Sequence, residues 1–125
     1  MDKSNHNTKV VGNFGEDKAA RYLFNNGYKI IARNWRTRHG EIDIIAITKD
    51  ILVFVEVKTL PSGNAETLAR ELDKRKQKRI IETSKFFLLT NREYSNRKIR
   101  FDVVVVDMPG FDSVYHIQDA FSEFV

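Results

Sequence analysis

Residues 41–59 read EIDIIAITKDILVFVEVKT, two runs rich in β-branched residues, 41–48 and 51–59, on either side of the dipeptide Lys49-Asp50. Runs of this length and composition are strands, and a two-residue connection makes them a hairpin, although the turn lacks glycine. Both runs are apolar on both faces: Ile42, Ile44, Val53, Val55 and Val57 on one, Ile45, Ile47, Leu52 and Phe54 on the other. A sheet buried on both faces has layers above and below it. The turn pairs Thr48 with Ile51, which sets Asp43 opposite Glu56 and Glu41 opposite Lys58. Alternation puts all four charged side chains on one face, at the end of the hairpin away from the turn.

That placement carries chemistry. Directly opposed residues hold their Cβ atoms roughly 4.5–5.5 Å apart, and like charges there destabilise the pair. Asp43 against Glu56 beside a core is explained by a cation that offsets the repulsion. Two carboxylates with water and phosphate oxygens suit Mg²⁺. Lys58, two residues after Glu56, shares its face. Either it neutralises the carboxylates as an ion pair, or its ammonium holds an attacking water and stabilises charge on a phosphate. The register decides this, because a slip of one residue sends one carboxylate to the other face.

Upstream, residues 7–26 read as a helix ending at the C-cap Gly27, after a flexible tail over about residues 1–6. Glu16, Ala20 and Leu23 share a face of it. A carboxylate among apolar residues needs a partner: the cation site, a structural salt bridge or the helix N-terminus. Residues 28–35 read as a strand and 36–40 as a turn. Downstream come a loop over 60–64, one long helix over 65–89, a buried strand over 99–107, a short strand over 114–117 and a last helical turn over 119–124. The order predicts a single domain with a mixed sheet flanked by helices.

Composition narrows the function. An apolar content of 42% over 125 residues excludes wholesale disorder. The absence of cysteine excludes a disulfide scaffold, a cysteine zinc site and a thiol nucleophile. No apolar run approaches the ~18 residues of a membrane span, and residues 1–10 lack the apolar stretch of a secretory signal. The expectation is a soluble, cytoplasmic protein without a membrane partner. The net charge of +4 hides an asymmetry: residues 66–100 carry 11 basic and 5 acidic side chains, and 101–125 carry 5 acidic and none basic. One basic group is Lys74, Arg75, Lys76, Lys78 and Arg79; another is Arg33, Arg36 and Arg38 with His39. Such patches attract polyanions, the alternative being a solvated helix face. His6, His39 and His116 show no metal spacing and no G-x-S-x-G elbow is present, which sets aside zinc and serine hydrolases.

Glu16, then Gly40-Glu41-Ile42-Asp43, then Glu56-Val57-Lys58 resembles the PD-(D/E)xK nuclease superfamily, without the leading proline before Asp43. The chain is more similar still to one branch, the YraN-like family of uncharacterised bacterial proteins. Gly15-Glu16, Gly27-Tyr28, Arg33-Asn34-Trp35-Arg36, residues 53–58, Lys76-Gln77 and Arg100-Phe101-Asp102-Val103-Val104 carry that resemblance over about residues 11–107. It implies an α/β fold: a three-layer α/β/α restriction-endonuclease-like core with a mixed central sheet. It also implies a catalytic set of Glu16, Asp43, Glu56 and Lys58. Asp43, Glu56 and the Val57 carbonyl would hold Mg²⁺ (or Mn²⁺), Lys58 would position the water, and Glu16 would support the metal directly or through water. The placement of Glu16 is similar to that in archaeal Holliday-junction resolvases. The implied activity is a Mg²⁺-dependent endonuclease acting on DNA, branched or single-stranded DNA included. The alternative is an inactive nucleic-acid-binding module, since one fold hosts many functions.

Candidate nucleic-acid contacts are Arg33, Arg36, Arg38, Lys76, Lys78 and Arg79. Lys76 interrupts the apolar stripe 65, 69, 72, 80, 83, 87 of the long helix. It points at the carboxylates or a phosphate, or else snorkels to solvent. Trp35 is either a platform for an unpaired base or a core anchor. Asp102 opens a strand and bonds locally or supports the site. Cutting two strands with so small a chain would need a homodimer, although no dimer seam is legible.

Overall fold

The hairpin forms in the expected register. Strands β2 (Glu41–Thr48) and β3 (Ile51–Thr59) pair antiparallel, Thr48 against Ile51 and Ile44 against Val55. Lys49 takes the left-handed conformation, φ 56°, that a tight hairpin turn demands and glycine usually supplies. The computed structural model describes the backbone of residues 3–123 and the side chains of residues 13–123.

Around the hairpin the sheet runs in the order β1-β2-β3-β4-β5. Strand β1 (Lys29–Arg36) pairs antiparallel with β2, β4 (Lys98–Val106) parallel with β3, and β5 (Val114–Phe121) antiparallel with β4. A parallel pair needs a long crossover. Helices α2 (Ala65–Glu71) and α3 (Lys74–Thr90) and a 3₁₀ turn (Arg92–Tyr94) provide it.

Helix α1 (Lys3–Asn25) covers one face, packing Ala19 and Leu23 on Ile44, Val53, Val55, Val104 and Val106. Helix α3 covers the other, with Ile80, Ile81 and Phe87 on Ile45, Leu52, Phe54, Val103 and Val105. Each buried Val, Leu, Ile or Phe among them contributes about 1.5–3 kcal/mol. The result is the three-layer α/β/α arrangement with a mixed sheet. Gly27, φ 88°, ends α1: Tyr28 N–H reaches the Leu23 carbonyl at 3.0 Å and Gly27 N–H the Phe24 carbonyl at 3.2 Å.

Three expectations are corrected. The single long helix over 65–89 is two helices, because the Asp73 carboxylate accepts the Lys76 N–H at 3.0 Å and starts a new one. The last helical turn over 119–124 is instead the end of β5 as far as Phe121, which pairs with Phe101; Phe124 lies outside the described residues. Asp119 sits in β5 at φ 52°, donating its N–H to the buried Asp102 carboxylate at 3.0 Å. Finally, α1 begins at Lys3, four residues before the expected start. Residues 1 and 2 of the expected tail lie outside the described residues.

Candidate active site

The ladder between β2 and β3 stops at the Ile44–Val55 pair. Asp43 and Glu41 therefore do not face Glu56 and Lys58 as ladder partners, which corrects the expected pairing. Glu41 stays with β1, paired to Arg36 and bridged by its guanidinium at 2.6 Å, while β3 follows β4 to the Thr59–Val106 pair. The strands fork because the Asp43 side chain takes the Val57 N–H, at 2.8 Å. Alternation breaks at the same point: Ile44 packs on the α1 side, but Ile42 packs with Trp35 on the α3 side. Asn34, between their partners on β1, is left-handed at φ 51°.

The fork still gathers the charged residues. Glu56 is 6% exposed, and its Oε1 is approached by Lys58 Nζ at 3.7 Å and by Lys76 Nζ at 3.4 Å. Lys76 thus points at the carboxylates rather than away from them. Lys58 also reaches Glu71 of α2 at 3.5 Å. Burial first, and then the Glu56 charge, push the Asp43 carboxyl up to about 8, against the opposing hydrogen bond from Val57. Burial likewise raises Glu16; Arg33 opposes the shift, and Glu41, Asp17 and Glu56 add to it. Glu16 Oε1 is buried with no hydrogen-bond partner.

Helix α1 delivers Glu16 through Gly15. A Cβ at Gly15 would lie 1.9 Å from Thr59 Oγ1, so only glycine lets the helix lie this close to the end of β3. Bridges on either side hold it there, Asp17 to Arg33 at 2.8 Å and Lys18 to Asp107 at 2.8 Å.

Asp43 and Glu56 line a cleft of about 400 Å³ together with Arg36, Lys76 and Arg79. Glu16 and Lys58 are not among its lining residues. Of the other expected nucleic-acid contacts, Arg33 is held by Asp17, Arg38 is exposed, and Lys78 lines a separate hollow between α3 and Ser122 and Glu123. Trp35 is a core anchor, edge-on to Phe87 with ring centroids 5.3 Å apart. Glu71 was missed because nothing in its spacing distinguishes it from a solvated helix residue. Asp102 is fully buried, accepting hydrogen bonds from Arg100, His116 and the Asp119 amide. It ties β5 to β4 and does not line the cleft.

Among the described residues no group of three His, Cys, Asp or Glu side chains is arranged to hold a metal ion. Magnesium does not require one, since it commonly keeps its waters and uses one or two carboxylates with substrate phosphate. Asp43, raised by burial and by the Glu56 charge, and the Glu16 oxygen without a hydrogen-bond partner leave acceptor capacity that fits such a cation.

Residues 15–106 match the family described as Uncharacterised protein family UPF0102. A UPF0102 protein of Treponema pallidum (strain Nichols) is 50% identical over 124 residues, covering 96% of this chain and 98% of the relative. One from Treponema denticola is 44% identical, over 90% of this chain and 95% of the relative. One from Persephonella marina is 39% identical, over 90% and 93%. With nearly the whole fold and the fork from Glu16 to Lys58 inside these matches, the chain belongs to the UPF0102 family, the YraN-like family its motifs resemble.

Proposed function

We propose that this protein is a metal-dependent endonuclease of the PD-(D/E)xK type, hydrolysing phosphodiester bonds in DNA with Mg²⁺ or Mn²⁺ held by Asp43, Glu56 and the Val57 carbonyl. The observation that carries this reading is the fork itself: a raised Asp43 beside a buried Glu56 whose oxygen is met by two lysines. Such a cation, when bound, supplies Lewis acidity to the phosphate and activates the attacking water. The protein's part is positioning and charge. Lys58, braced by Glu56 and Glu71, offers its ammonium to the attacking water and the charge growing on phosphate. Lys76, Arg36 and Arg79, along the cleft wall, receive the flanking phosphates. Glu16, whose Oε1 is buried without a hydrogen-bond partner, would support the cation directly or through a water.

Nucleic acid as the partner goes with a cytoplasmic setting. No helix among the described residues is long and apolar enough to cross a membrane. Two-strand cleavage by this single cleft calls for a homodimer.

One observation favours a second reading, a nucleic-acid-binding module that does not cut: lysine charge already answers Glu56. The two readings separate cleanly. Under the first, Asp43→Ala or Glu56→Ala abolishes metal-dependent cleavage and leaves binding largely intact; unchanged cleavage in both variants ends it. Salt-sensitive binding without any metal-dependent turnover belongs to the second.

A further inference from the structure

His39 and Phe86 form a stacked pair just outside the cleft, with ring centroids 5.0 Å apart and planes 5° from parallel. Phe86 is 40% exposed and Leu89 66%. Together with Glu82 and Lys85 they line a hollow of about 330 Å³, within the range of small-ligand pockets. Hollow and cleft lie on two sides of one turn, because His39 lines the first and Thr37 and Gly40 line the second.

That turn is braced. Thr37 N–H donates to the Gly40 carbonyl at 2.9 Å, and His39 N–H donates to Thr37 Oγ1 at 3.0 Å. Gly40 lies flat on α3, where a Cβ would meet Thr83 Oγ1 at 2.7 Å. The turn that carries His39 is therefore held against α3, and its ring stacks on Phe86 of the same helix.

We propose that this hollow seats one unpaired nucleobase of the substrate strand, so that the protein takes single-stranded or branched nucleic acid in preference to duplex. The proposal deepens the nuclease reading and rests on it. Stacking on an aromatic platform accepts any base but needs a free base face, which a duplex does not offer. The charges favour this occupant over a phosphate. Among the described residues Lys85 is the one Lys or Arg lining the hollow and is already bridged to Glu123, and Glu82 repels an anion, so the hollow suits an uncharged ring. On the cleft side Arg79 is exposed and has no acidic partner among the described residues, as suits the phosphate that follows the base. The nearby exposed Arg38 is equally unpaired among the described residues.

The test uses the whole protein in EDTA, so that nothing is cut. The probe is a single-stranded oligodeoxynucleotide carrying 2-aminopurine, alone or annealed to its complement. The wild type should bind the single strand more tightly than the duplex and change the emission of the reporter base. Phe86→Ala and His39→Ala should each weaken single-strand binding roughly tenfold and leave duplex binding unchanged. Phe86→Trp should retain both affinities, and far-ultraviolet circular dichroism verifies that each variant folds. Single-strand affinity and emission at wild-type level in both alanine variants overturn the proposal, and point the apolar hollow to a protein segment instead. If the wild type then still cuts DNA with Mg²⁺, only the base seat falls; if it binds neither strand form, the nuclease reading falls with it.

Discussion

Asp43 accepts the backbone N–H of Val57 at 2.8 Å, a side chain of one hairpin strand standing where the ladder to the other has stopped. The bond fixes a carboxylate at the fork while burial and Glu56 hold on to its proton.

A pH dependence follows from it. The folded pKa of about 8 lies above the ordinary value of 3.8, so between these limits the folded protein keeps a proton that the unfolded chain has released. Stability from this group therefore falls as pH rises from about 4 to about 8, by at most about 1.4 kcal/mol per pH unit. In EDTA, thermal unfolding should show wild type losing ground to Asp43→Asn across that window. Mg²⁺ or Mn²⁺, by favouring the ionised form, should raise the wild-type Tm most at the alkaline end and leave Asp43→Asn unchanged. A wild-type advantage that grows with pH in EDTA would contradict the assignment.

Gly15→Ala tests the seat of α1. The new Cβ meets Thr59 Oγ1, and the helix must move off the end of β3. Overpacking of this kind costs roughly 1–3 kcal/mol, and the displacement should also carry Glu16 away from the fork. Thr59→Ala in the same chain should recover part of the loss, because it removes the nearest atom. Urea unfolding of the two single variants and the double variant measures the coupling; strictly additive effects would show that the contact does not position the helix.

The buried Asp102 offers a prediction of opposite sign. Burial by itself would raise its pKa, but hydrogen bonds from His116, Arg100 and the Asp119 amide outweigh that and hold it below the ordinary value. Its contribution is present above about pH 4 and is lost as pH falls through the lower folded value. Asp102→Ala strands the Arg100 charge and should cost about 3–5 kcal/mol near neutral pH. Urea unfolding at neutral pH and below pH 4 checks both statements, since the deficit should shrink in acid.

The hairpin register from its turn to the Ile44–Val55 pair, the cap at Gly27 and the two-faced strands were legible because each depends on local pattern: a two-residue turn, a glycine after a helical stripe, β-rich apolar runs. What escaped depends on contacts between distant residues or on unusual backbone. Left-handed Asn34, a residue type with some tolerance for that conformation, lies where β2 switches faces, so Ile42 and Ile44, two apart, serve opposite cores. Asp119 is left-handed too and is held by Asp102, which hides the end of β5 from any alternation rule. The break at Asp73 rests on one side-chain cap, its carboxylate accepting the Lys76 N–H, inside an apolar stripe that runs on through it. Glu71 and the His39–Phe86 stack arise only when the crossover helices fold over the sheet.

The most direct test is cleavage of labelled branched, single-stranded and duplex DNA, and of RNA, with Mg²⁺, Mn²⁺ or EDTA, beside Asp43→Asn and Lys58→Ala. Metal-dependent products that disappear in both variants, with binding retained, are the expected result. Binding without products under every condition, or products that persist in both variants, would contradict the nuclease reading.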